Sequence, residues 1–84
     1  MVFFARSRIG VTAFESLWRD NKAHRLWVDA GVLTEEEMAA LRSAGMPVTN
    51  FKGHARAGDV HEMAQAVAVI QAHHPAEPIW IEAA

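Results

Sequence analysis

Apolar positions in this chain follow two periods. In three stretches they recur every three or four residues, and between those stretches they form short runs. The first period marks amphipathic helices and the second marks short buried strands. Phe14, Leu17 and Trp18 share one helical face, as do Met38 and Leu41. Val60, Met63, Ala64, Val67 and Ile70 form a longer stripe, with His61, Glu62 and Gln65 off it. Each stretch follows a residue that can cap a helix, set three residues before a glutamate: Thr12 before Glu15, Thr34 before Glu37, Asp59 before Glu62. The capping side chain accepts from a backbone N–H of the first turn and the glutamate reaches back to the cap's own N–H. The first two pairs have the residues of a full capping box; Asp59 is a looser member. The pattern predicts helices from Ala13 to about Asn21, Glu35 to about Ala44 and Val60 to about His73. Gly45 and Pro47 stop the second, and Pro75 the third.

The intervening runs read as strands: Val2 to Ala5, Arg25 to Val28, Pro47 to Phe51 and Pro78 to Glu82. The order β-α-β-α-β-α-β predicts a small α/β sandwich with a three- or four-stranded, mainly parallel sheet and about three helices. The helices have the length that parallel crossovers need, and right-handed connections are expected. Lys52 to Gly58, rich in glycine and basic groups, reads as the longest loop.

With 84 residues the chain has material for one hydrophobic core, so residues 1–84 are read as a single domain. There are no cysteines, which excludes disulfides, thiolate metal sites and thiol nucleophiles. Packing alone must hold the domain, and a cytoplasmic location is expected. The N-terminal run lacks the basic region of a signal peptide, and no apolar stretch approaches the roughly 20 residues that span a bilayer. The formal net charge of −2 hides an asymmetry: residues 1–28 carry a net +3 and residues 29–84 a net −5. A basic end of that size gives a nucleic-acid accessory role a foothold, but no basic helix interleaved with aromatics supports it.

In a parallel sheet the carboxyl ends of all strands gather on one edge, where open α/β folds bind ligands. The residues sent there are Arg6, Ser7 and Arg8, then Asp29, then Asn50, Lys52 and His54, then Glu82. Arg6, Arg8, Asp29, Asn50, Lys52 and His54 are the candidate ligand-binding set, suited to a small anion or metabolite or to minor acid–base chemistry. The loop Lys52-Gly53-His54-Ala55-Arg56-Ala57-Gly58 departs from the phosphate-binding patterns, and Asp59 would put negative charge where an anion would sit. Five histidines raise a metal site, but none are spaced i, i+4 and His61 lies about 18 Å along the helix from His73. No metal site and no cofactor is expected. His73 and His74 suit a helix C-terminus as imidazolium groups.

Val28-Asp29-Ala30-Gly31-Val32-Leu33-Thr34 resembles the opening motif of the haloacid dehalogenase-type phosphatases. That family needs two aspartates two residues apart, and Val28 and Ala30 stand in those positions. The assignment is excluded, and Asp29 is expected to close an Asx-type turn before Gly31. Ser7, Ser16 and Ser43 lie in no nucleophile elbow, so no catalytic residue is assigned.

Trp18, Trp27 and Trp80 are the most informative large residues. A sheet this small cannot cover both faces and both edges, and tryptophan favours interface centres. Ile79, Trp80 and Ile81 lack the lysine, inward charge or internal proline that blunts natural sheet edges, and are the candidate interface. The function expected is a non-catalytic interaction module, acting as a homodimer or with another protein. The alternatives are a metabolite-binding protein using the strand-end cluster and a nucleic-acid accessory protein using the basic third.

Overall fold

The computed structural model describes residues 1–53 and 59–83. Its elements run β1 (Val2–Ala5), α1 (Arg8–Asp20), β2 (Arg25–Val28), α2 (Glu35–Ser43), β3 (Val48–Asn50), α3 (Val60–His73) and β4 (Ile79–Ile81). The strands form one sheet of order β3-β2-β1-β4, and every pairing is parallel. The expected α/β architecture therefore stands, with four strands and three helices.

Strand alternation divides the core in two. Ala5, Leu26, Val28 and Val48 meet Val11 and Phe14 of α1 and Met38 of α2 on one face. Val2, Phe4 and Trp27 meet Phe51 and, from α3, Ala66 and Ile70 on the other. The two central strands are buried on both faces, as parallel strands between helices must be. The chain builds β1, β2 and β3 outward with α1 and α2 on one face, then returns across the opposite face through α3 to lay β4 beside β1. The strand order thus reverses between β1 and β4.

Helix α1 begins five residues before the Phe14 pattern predicts, at Arg8 rather than Ala13. Ser7 is its cap, with Oγ accepting from the Gly10 N–H at 3.3 Å. Thr12 lies inside the helix and its hydroxyl donates to the Arg8 carbonyl at 3.2 Å. Gly10 and Val11 extend the buried stripe of Phe14 by one turn, so burial outweighs the local capping signal at Thr12. Helices α2 and α3 match their predicted ranges. Thr34 and Glu37 form the reciprocal capping box. Asp59 caps α3 by accepting from His61 and Glu62 N–H groups, each at 3.0 Å. Gly45, at φ +90°, ends α2 with two reversed bonds, Gly45 N–H to Arg42 and Met46 N–H to Leu41. On α3 the covered stripe is Met63, Ala66, Val67 and Ile70; Val60 and Ala64, expected on it, face solvent.

Candidate functional site

Because all four strands are parallel, their carboxyl ends lie on one edge of the sheet. Asp29 follows β2 beside β1, its N–H donating to the Ala5 carbonyl at 3.0 Å. Asn50 ends β3 in register with Val28. Arg6, Asp29 and Asn50 therefore stand at neighbouring strand ends. Asp29 is 3% exposed, the one charged residue that the described part of the domain buries. Its Oδ1 accepts from the Ala30 N–H at 2.9 Å, and its carbonyl accepts from Val32 at 3.2 Å. The turn before Gly31 is thus closed by the main chain, while the expected Asx bond to residue 31 is replaced by one to residue 30. The buried Oδ1 of Asn50 receives no hydrogen bond among the described residues.

The other candidates separate from this group. Arg8 points into the space between α1 and α2, where its guanidinium donates to both oxygens of Glu37, one bond measuring 2.7 Å. The pair stands over a groove of about 270 Å³ whose apolar walls are Val11, Leu33 and Leu41. The hydrogen bonds from Arg8 and from the Thr34 amide hold the Glu37 carboxyl down at about 2, and the same partner raises the Arg8 guanidinium. Lys52 is exposed one residue past Phe51. His54 lies outside the described residues.

The reversal of strand order between β1 and β4 is where an open parallel sheet offers a ligand crevice. Here the crevice holds a carboxylate of the chain itself. Glu82, directly after β4, accepts at Oε1 from the N–H groups of Arg6 at 2.6 Å and Ser7 at 2.9 Å. Its Oε2 accepts from the Ser7 hydroxyl at 2.5 Å. The first turn of α1 contains no acidic residue, and Glu82 supplies that charge from the far end of the sequence. A Cβ on Gly10 would overlap Oε1, so glycine at this position admits the carboxylate. Ser7 caps α1 and binds Glu82 with one hydroxyl.

At the opposite end of the sheet, Trp27 is 3% exposed and its indole N–H donates to His74 Nε2 at 3.2 Å. His74 Nδ1 faces Glu77 at 3.1 Å. The indole can only donate, so Nε2 is the acceptor in this contact, and Nδ1 faces the Glu77 carboxylate. Of the basic groups in the first third, Arg8 pairs with Glu37, Arg19 stands 3.9 Å from Glu15 and Lys22 lies 5.0 Å above the Trp18 ring. Among the described residues no three His, Asp or Glu side chains converge as metal ligands, and no helix is long and apolar enough to cross a membrane.

The candidate interface forms the outer edge of the sheet. Ile79 packs against the α3-side core, which turns Trp80 to the α1 side beside Phe3. Trp80 is 61% exposed and Ile81 41%. The opposite edge is guarded: the Arg42 guanidinium donates twice to the outward-facing Val48 carbonyl, at 2.8 and 3.2 Å. Sequence reasoning missed Arg42, whose signal was an arginine in the last turn of α2, six residues before the first residue of β3.

No protein family, curated protein or solved structure matches this chain.

Proposed function

We propose that this chain is a non-catalytic interaction module that acts as a homodimer through the β4 edge. The observation that carries this reading is the exposure of Trp80, an indole standing 61% open on a strand with one unpaired side. Single exposed apolar residues are ordinary on protein surfaces, but a tryptophan on an unguarded edge adds main-chain donors and acceptors to the apolar area. The strand-end cluster gives less support to chemistry, since Glu82 already fills the cradle at α1 and Arg8 is engaged elsewhere. A cytoplasmic location suits a chain without cysteines. Sedimentation equilibrium of the wild-type chain tests the reading. A monomer–dimer equilibrium in the micromolar range is expected, and a chain that stays monomeric at high micromolar concentration overturns it.

A second reading, a small polar metabolite bound at the strand ends, is favoured by the unsatisfied Oδ1 of Asn50 beside the buried Asp29. Such a ligand would bring a hydrogen-bond donor to Asn50. Ligand-observed NMR against wild type and Asn50→Ala checks it, binding lost in the variant being the supporting result.

A further inference from the structure

The hydrogen bonds that hold β4 to β1 determine which of its main-chain groups remain open. Val2 N–H donates to the Pro78 carbonyl at 2.9 Å and Glu82 N–H donates to the Phe4 carbonyl at 3.0 Å. In a parallel ladder every second residue faces the neighbouring strand. Positions 78, 80 and 82 therefore face β1, and the N–H and C=O groups of Ile79 and Ile81 face outward. The open groups are arranged symmetrically about Trp80.

Resting on the homodimer reading above, we infer that the occupant of this edge is a second copy of β4, paired antiparallel about a twofold axis at Trp80. Ile79 then lies opposite Ile81 of the second copy, and Ile81 opposite Ile79. Each of these pairs exchanges two N–H···O bonds, so every open group in the strand is satisfied. A register shifted by two residues leaves one of the two isoleucines without a strand partner and halves the bonds. Trp80 faces its own copy as the pair between the bonded ones, with Cα atoms about 4.5 Å apart. Both indoles then lie on the α1 side of one continuous eight-stranded sheet, each next to a Phe3.

Three observations favour a second copy over an unrelated strand. The open groups are self-complementary, as an isologous twofold contact requires. No like charges stand directly opposite: the Glu82 position faces Pro78 of the second copy, and its carboxylate is already held on α1. Among the described residues the other sheet edge, β3, carries the Arg42 guard, which favours extension through β4. The seam is short beside the roughly 1,600 Å² of a standard interface, which makes this a dissociable dimer.

Amide hydrogen exchange of the wild-type chain, followed by NMR at low and high concentration, tests the register. The Trp80 and Glu82 amides, bonded to β1, are expected to be protected at both concentrations. The Ile79 and Ile81 amides are expected to exchange freely at low concentration and to gain protection as the dimer forms. A filtered NOE between labelled and unlabelled chains should connect the Trp80 Hα protons. A dimer whose Ile79 and Ile81 amides stay unprotected overturns this seam while leaving self-association standing. A chain monomeric throughout overturns both.

Discussion

The carboxylate of Glu82 occupies the space that a Cβ on Gly10 would fill, so residues 72 positions apart depend on each other at the first turn of α1. Gly10→Ala improves helix propensity by about 1 kcal/mol. It also expels the carboxylate from three donors, each worth roughly 1.5–3 kcal/mol before re-solvation. The expected net effect in the wild type is a loss of about 1–2 kcal/mol. In a Glu82→Ala background the same change should be neutral or stabilising. Urea denaturation of the four members of the cycle measures the coupling; additive effects would show that the carboxylate does not hold this position.

Trp27 depends on His74 in a different way. His74→Ala leaves a buried indole N–H without an acceptor, and a loss of roughly 1–3 kcal/mol is expected. His61→Ala, on the exposed side of α3, should change stability by about 0.5 kcal/mol or less. Equal effects in thermal or urea unfolding would remove the structural role assigned to His74.

Glu37 ties α2 to α1 and carries a pH signature. Its carboxyl is lowered to about 2 by Arg8 first and the Thr34 amide second, against an unfolded value of about 4.3. A group depressed on folding contributes stability that is fully present above its unfolded pKa and is lost as pH falls toward the folded one. The wild type should therefore lose stability between about pH 4.5 and 2, and Glu37→Gln should flatten that limb. The pair is exposed and salt screens it, so the slope should shrink at high ionic strength. Carboxyl ¹³C titration gives the direct check: a Glu37 midpoint near the ordinary glutamate value contradicts the assignment.

Arg42 guards one sheet edge. Arg42→Ala uncovers the Val48 carbonyl and opens β3 to pairing. With both edges open the variant should form species larger than a dimer, rising with concentration in light scattering. Unchanged mass would mean that the Arg42 contact is not what keeps β3 from pairing.

Much of the fold was legible because local signals agreed with burial. Thr34, Glu37 and Gly45 bracket α2 with a capping box and a left-handed stop, and neither competes with the core. Thr12 misled because its capping pattern is local, whereas the extra turn of α1 is stabilised by Gly10 and Val11 against distant strands. The strand-end residues follow from parallel topology alone, so Arg6, Asp29 and Asn50 could be placed together. The destination of long side chains does not follow from topology. Arg8 turns to Glu37 across the helix pair, and Glu82 reaches back to Ser7; both are non-local choices made by charge and open N–H groups. The candidate interface at Ile79 to Ile81 was named from its apolar, unguarded sequence, but the edge position of β4 and its open groups depend on strand order and on the register with β1.

Association through β4 is tested most directly by measuring the dimer dissociation constant of wild type, Trp80→Lys and Thr49→Lys by sedimentation equilibrium. The two lysines stand at the middle residue of opposite edge strands, on exposed positions. Trp80→Lys should weaken the dimer by roughly thirtyfold or more, the scale of a 2 kcal/mol hot spot, with its melting temperature little changed. Thr49→Lys should leave the constant unaltered. A dimer that tolerates lysine at Trp80, or that is lost only with lysine at Thr49, would contradict association through β4.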